Sequence, residues 1–293
     1  YTNAANSSAE ASFLYEFLIG GKKIRYEYCK MDYKTLTSET LWIDGHRMVC
    51  FDRRDGNETF CSDLKGTESL NNVIRDPQLS VLKYIRNNSS LDENADNRAF
   101  LDLFSFVERM LFFRSLEDRT YIGLQHHDGS LTDYIINTDK VKDFEAFLNE
   151  ANIDCRLVVV DVMDSQELAF DFGDKKILFR DIMSTGTSAL MLFYCWYQHI
   201  ISSEVSFVFI DEFDAFYHHE LSRLVVRKLI DSGVQFVLTT HNTSIMSNDL
   251  MRPDCYFLIY KSRLLPLSKC TERELREAHN IEKIYKSGAF HVR

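Results

Sequence analysis

Hydrophobic and polar positions alternate with a period of two along the first part of the chain. Phe13, Tyr15 and Phe17 are followed, across Gly20-Gly21, by Ile24, Tyr26 and Tyr28, and Leu41 and Ile43 precede Asp44-Gly45. Alternation punctuated by turn residues predicts an antiparallel meander with one buried face. From Asp76 the period becomes helical: Phe100, Leu103, Phe104, Val107 and Leu111 share one stripe, and Phe144, Phe147 and Leu148 repeat the spacing. A mostly helical insert is expected here, with the polar tract Asn87 to Asn97 as an exposed loop.

After Asp154 strands return. Leu157 to Val160 is continuously apolar, and Leu168, Phe170 and Phe172 alternate with polar neighbours before Gly173-Asp174. A helical run from Thr187 to Ile201 leads into an apolar strand, Phe207 to Ile210, then a helix, Glu220 to Ile230, and a strand, Phe236 to Leu238. Helix alternating with buried strand predicts an α/β class with a three-layer core around a parallel sheet. The tail is expected to hold a strand near Tyr256 to Tyr260 and a helix opened by Thr271-x-x-Glu274. The pattern divides the chain into an antiparallel β lobe (1–62), a mostly helical insert (63–152) and a C-terminal α/β lobe (153–293).

Composition narrows the function classes. Apolar residues make up 45 % of 293, with only 11 Gly and 3 Pro, so a packed chain is expected. The 34 Lys and Arg against 44 Asp and Glu give a net charge of −10, which excludes a surface broadly shaped to neutralise a phosphate backbone. Arg53-Arg54 and Lys175-Lys176 are too sparse for a basic stripe, leaving nucleic acid a weaker candidate partner. Seven Cys fall in no metal-type spacing, so reduced thiols in a cytoplasmic protein are expected, Cys195 as a buried hydrophobe. The longest apolar run, Ala189 to Tyr197, is under half the ~20 residues of a membrane span, and no membrane partner is expected.

Three segments carry chemistry. Val205 to Ile210 reads as a buried strand delivering two adjacent carboxylates, Asp211 and Glu212, at its carboxyl end. One carboxylate can hold Mg²⁺ while its neighbour orients a water, the division of labour that nucleotide hydrolysis requires. Met183-Ser184-Thr185-Gly186-Thr187 lies 27 residues before Asp211 and opens a long helix, where hydroxyls and backbone N–H groups can cradle an anion or simply cap the helix. Gln235 to Thr240 ends at His241, 30 residues after Asp211, where an imidazole can donate to a phosphate oxygen or serve structure alone. His126-His127 reads as a solvated polar turn.

In order and spacing these segments resemble the C-terminal half of ATP-binding-cassette-type ATPases of the SMC and overcoming-lysogenization-defect kind. More narrowly, Met183 to Thr187, Ile210 to His218, Val237 to Asn242 and the tail Ala278 to Phe290 look like bacterial stand-alone ATPases of abortive-infection and anti-phage operons, the Septu- and retron-associated ATPase subunits among them. The resemblance implies ATP and Mg²⁺ as cofactors. Asp211 would be the Walker B carboxylate that coordinates Mg²⁺ through water, Glu212 would polarise the attacking water, and His241 would be the switch. Ser184, Thr185, Gly186 and Thr187 would form the signature motif, with Ser184 and Gly186 reaching the γ-phosphate of ATP held by a second protomer. Asp214 and Ala215 would lie in the D-loop. A head-to-tail homo-oligomer follows.

Two departures stand out. The phosphate loop Gly-x-x-x-x-Gly-Lys-Ser/Thr occurs nowhere; Gly20-Gly21-Lys22-Lys23 lacks its spacing and terminal hydroxyl. In the family that loop precedes the meander, so it is expected upstream of Tyr1. Family members also usually carry Ser-Leu-His-Pro where this chain has Phe216-Tyr217-His218-His219. The functional expectation is an ATP hydrolase controlling a separate effector, such as an HNH nuclease, since no His-Asn-His grouping occurs here. A nucleotide-bound scaffold that does not hydrolyse, and an SMC-like DNA-repair ATPase, are the alternatives.

Overall fold

The computed structural model describes residues 8–54, 56, 58–68, 70, 76–114, 120–123, 130–163, 165–261, 263–272, 275–276 and 279–290. They divide into two compact units, one ending at Glu108 and the other starting at Arg109.

The first unit begins with five consecutive antiparallel strands, β1 (Ala11–Ile19), β2 (Lys22–Lys30), β3 (Leu36–Ile43), β4 (His46–Asp52) and β5 (Thr59–Ser62), in sequence order across one sheet. The meander expected from the period-two pattern is therefore present. One face is closed by α1 (Val81–Asn88) and α2 (Ala95–Glu108): Val81, Ile85, Phe100 and Leu103 bury against Ile24, Leu41, Val49 and Phe51.

A buried acid joins sheet to helix. Glu39 on β3 is fully buried, and its carboxylate accepts from the Tyr26 hydroxyl (2.6 Å), the Ser80 hydroxyl (2.7 Å) and the backbone N–H groups of Val81 (2.5 Å) and Leu82 (3.4 Å). Val81 and Leu82 open α1, so a side chain from the sheet satisfies N–H groups that the helix itself leaves unmet. Burial pushes the Glu39 carboxyl above its usual range, with these donors pulling the other way.

The polar tract expected as an exposed loop is built differently. Asn94 caps α2 by accepting from the N–H groups of Asp96 and Asn97, and Asn97 is buried, its amide donating to the carbonyls of Lys65 and Asp92. This seam explains Gly66: at φ +90° a Cβ would lie 2.1 Å from the Ser90 carbonyl oxygen.

The second unit contains a four-stranded sheet ordered β12-β11-β6-β7, made from β6 (Met110–Arg114), β7 (Thr120–Gly123), β11 (Phe207–Asp211) and β12 (Gln235–Leu238). β11 pairs in parallel with both β6 and β12, while β7 runs antiparallel on β6. A second sheet, β8 (Leu157–Val162), β9 (Ser165–Asp171) and β10 (Lys176–Leu178), is antiparallel. Helices α3 (Leu131–Asn137) and α4 (Val141–Glu150) precede it, and the short α5 (Phe179–Ile182), α6 (Thr185–Ile201) and α7 (His219–Ser232) follow, with β13 (Phe257–Tyr260), β14 (Arg263–Pro266) and α8 (Ile281–Lys286) in the tail. Helix α6 is apolar around its circumference and sits in the core, with Leu190, Tyr194 and Trp196 all buried.

Two expectations need correction. The helical stripe stops at Glu108, and Leu111 lies on a strand, because Met110–Phe113 is a continuous apolar run whose period cannot distinguish helix from buried strand; pairing with β11 decides it. The division between units accordingly falls inside 63–152: residues such as Leu64 and Leu103 belong to the meander's core, and Leu111 and Phe144 to the second. Glu274 of the expected capping pattern lies outside the described residues; α8 is capped by Asn280, which accepts from Lys283 N–H at 2.8 Å.

Removing the buried carboxylate strands four donors in a dry seam, so Glu39→Ala is expected to destabilise the first unit by roughly 2–4 kcal/mol. Denaturant melts followed by Trp42 emission in a Trp196→Phe background measure this. Gly66→Ala in the same assay is expected to cost more than ~1 kcal/mol, because both its positive φ and the Ser90 carbonyl oppose a Cβ.

Candidate functional site

Asp211 is the last residue of β11, a strand with a parallel neighbour on each side. Its side chain thus stands at the carboxyl edge of a parallel sheet, where open α/β folds bind ligands. The strand is held below that edge by Val208 and Ile210 in the core and by Phe209 stacked on Phe112 at 4.9 Å.

The chain turns sharply at Glu212, which adopts φ +47°. A non-glycine residue in the left-handed region costs of the order of 1–3 kcal/mol and persists where surrounding bonds determine it. Those bonds come from the end of β12. Thr239 accepts the Glu212 N–H at 2.7 Å and donates its hydroxyl proton to Asp211 Oδ1 at 2.6 Å. Its backbone N–H donates to Ile210 O, and its carbonyl accepts from Phe213 N–H. Phe213 is consequently buried, while Asp211 remains exposed.

The next threonine repeats the arrangement. Thr240 donates to Asp214 Oδ1 at 2.6 Å and accepts Asn242 N–H at 2.8 Å. Asp214 Oδ2 is buried without a hydrogen-bond partner among the described residues. Asn242 in turn accepts Ser244 N–H at 3.0 Å, starting the single 3₁₀ turn Thr243–Ile245, and Thr243 donates to Glu282 of α8 at 3.2 Å. His241 sits between these anchored residues. Its ring is 93 % exposed, with Nε2 3.9 Å from Glu212 Oε1, beyond hydrogen-bond reach.

The Ser184–Thr187 segment forms a distinct element. Ser184 caps α6, its hydroxyl accepting Thr187 N–H at 3.1 Å and lying 2.9 Å from Thr187 Oγ1. Gly186 packs so closely on the turn after β11 that a Cβ would lie 3.3 Å from Phe216 O. Tyr217 ties the same turn to the helix by donating to Ala189 O at 3.1 Å. Ser184 and Thr187 also border a cleft of about 410 Å³, with Arg156, Asp171, Phe172 and Met183 in its wall.

The structure therefore brings Asp211, Glu212, Asp214 and His241 together around two threonines, with Ala215 in the same turn through its N–H to Glu212 O. Of the segment Ser184, Thr185, Gly186 and Thr187, Gly186 meets the same turn at Phe216 O. Thr239 and Thr240 were not singled out from sequence as functional residues. Their signal, two hydroxyls directly before the histidine, acquires meaning only once β12 is in register with β11. His126-His127 lies outside the described residues.

Residues 157–247 match the family described as AAA domain, putative AbiEii toxin, Type IV TA system. No curated protein matches the chain. Among solved structures, the chain is similar to the SMC head domain from Thermotoga maritima at 15 % identity and a TM-score of 0.39, over 82 % of this chain and 67 % of that one. It is similar also to an SmcHead bound to the C-winged helix domain of ScpA, at 14 % identity and a TM-score of 0.39, over 82 % and 68 % of the two chains. The stretch of the family match holds every residue of the site, from Ser184 to His241.

Proposed function

We propose that the protein is an ATP hydrolase whose Asp211 and Glu212 act on a nucleotide clasped from the other side by Ser184, Thr185, Gly186 and Thr187 of a second copy arranged head to tail. The observation that carries this reading is the pair of adjacent carboxylates at the carboxyl edge of a parallel sheet, fixed by Thr239 and flanked by His241. Similarity of residues 157–247 to an AAA domain supports it.

Mg²⁺ suits this donor set. Thr239 occupies Asp211 Oδ1 and leaves Oδ2 open, and among the described residues no three His, Cys, Asp or Glu side chains are placed to hold a metal ion by themselves. A hard cation that keeps most of its waters and takes one carboxylate plus phosphate oxygens matches a site built in that way. When bound, it neutralises charge on the phosphates. Glu212 then orients the attacking water and accepts its proton, its position set by the backbone N–H held on Thr239. His241, exposed and carried on an anchored loop, donates to a γ-phosphate oxygen. Asp214 and Ala215 hold the turn that faces the second copy.

The hydrolytic cycle is proposed to control a separate effector, such as an HNH nuclease, in anti-phage defence. Steady-state ATP hydrolysis by the full-length protein tests the reading. Glu212→Gln preserves shape and removes the proton acceptor, so turnover is expected to fall by ~10²-fold or more. Equal rates in the two proteins exclude Glu212-dependent hydrolysis and leave a nucleotide-bound scaffold.

Thr240→Val removes one hydroxyl and keeps the side-chain shape. Because that hydroxyl anchors the His241 loop to Asp214, kcat is expected to drop about 10-fold with KM unchanged, of the order of a general acid–base group held off its position. Thr240→Ser is expected to restore most of the rate, and Thr240→Val is expected to have no further effect once His241 is Ala.

A further inference from the structure

Strands β4 and β5 place two cysteines face to face. Cys50 and Cys61 are directly opposed in the antiparallel register, between the pairs Val49–Ser62 and Phe51–Phe60. The Asp63 N–H donates to Met48 O at 2.8 Å in that register, making Met48–Asp63 a hydrogen-bonded pair. Hydrogen-bonded and non-hydrogen-bonded pairs alternate, so Cys50–Cys61, two steps on, is also of the hydrogen-bonded kind, with Cα atoms about 5.5 Å apart. Disulfides span Cα separations of ~4.4–6.8 Å.

Val49, Phe51 and Phe60 pack into the first unit's core. The two thiols alternate with these residues and share the opposite face, Cys50 half-buried and Cys61 exposed. β5 is a four-residue strand at the sheet edge, so solvent reaches Cys61 from the side. Of the other cysteines, Cys29, Cys195 and Cys270 are buried, and neither Cys155 nor Cys255 is opposed to a cysteine in any strand pair.

We infer that Cys50 and Cys61 are a redox modification site, a cross-strand dithiol that closes to an intrachain disulfide when a low-molecular-weight disulfide such as oxidised glutathione is supplied. Cys61, the accessible thiol, loses its proton to water and its sulfur attacks the oxidant, forming a mixed disulfide and releasing one glutathione thiolate. Cys50 then loses its proton and attacks the Cys61 sulfur, expelling the second glutathione. Two thiols are oxidised and one glutathione disulfide is reduced to two thiols.

Side chains of a hydrogen-bonded pair start farther apart than the ~3.8 Å between the Cβ atoms of a disulfide, so closure increases the local twist. A short edge strand can accommodate that twist. The strain makes the bond readily reducible, and the reaction is reversible by excess thiol. Burial and the adjacent Cys50 thiol hold the Cys61 thiol above its ordinary range. Thiolate is therefore scarce at neutral pH, and closure accelerates as pH rises from 7 to 9.

The test is incubation of the chain with oxidised glutathione, alkylation of remaining thiols and tryptic mapping by mass spectrometry. Trypsin cuts at Arg53 and Arg54, so the expected product is peptide 48–53 joined to peptide 55–65, two hydrogens lighter than the separate peptides. Cys50→Ser is expected to trap a stable glutathione adduct on Cys61. The inference is overturned if the unmodified chain keeps that adduct without closing, if Cys61 does not react, or if Cys61 links to Cys255 as readily as to Cys50.

Discussion

One hydroxyl ties together the two strand ends at the sheet edge of the second unit. Thr239 Oγ1 lies between two strand ends, giving its proton to Asp211 and taking the N–H of Glu212. Both bonds exist because β11 and β12 are parallel and in register up to Ile210 and Leu238, which delivers Thr239 beside Asp211 and Glu212. The same contact bonds the N–H of Glu212, whose backbone lies at φ +47°. It fixes one oxygen of Asp211 and the backbone of Glu212.

Rigidity is distributed unevenly around that point. Below the sheet edge, Val208, Ile210, Phe213 and the apolar α6 form a continuous core. Above it, Asp211 and His241 are exposed and Glu212 and Asp214 half-buried, and the segments that carry them are tied by short polar links between backbone turns. Thr240 joins Asp214 to Asn242, Asn242 caps a 3₁₀ turn, and Thr243 reaches Glu282. His241 inherits an anchored backbone and an exposed ring.

The first unit solves a different problem. A five-stranded meander has one face to cover, and α1 and α2 cover it with Val81, Ile85, Phe100 and Leu103. The helix start placed on the sheet leaves N–H groups with no water to bond, and Glu39 supplies acceptors from below. Asn97 supplies donors to the carbonyls of Lys65 and Asp92. Both are polar residues inside apolar surroundings, and each is explained by backbone groups that another element cannot satisfy.

The sequence by itself determined the local elements whose signal is local. Period-two alternation marked β1 to β3, the Ser184 cap marked the start of α6, and a β-branched and aromatic run ending in Asp211-Glu212 marked β11 with its two acids. Side-chain periodicity and capping depend only on near neighbours, so they are legible along the chain. Tertiary structure decided what depends on distant partners. Met110–Arg114 became a strand because β11 lay beside it; Asn97 became buried because Lys65 approached it; Thr239 and Thr240 acquired roles because their hydroxyls met Asp211 and Asp214 across 28 and 26 residues. A hydroxyl's partner is set by which strands pair and in what register, and nothing in its immediate sequence records that choice.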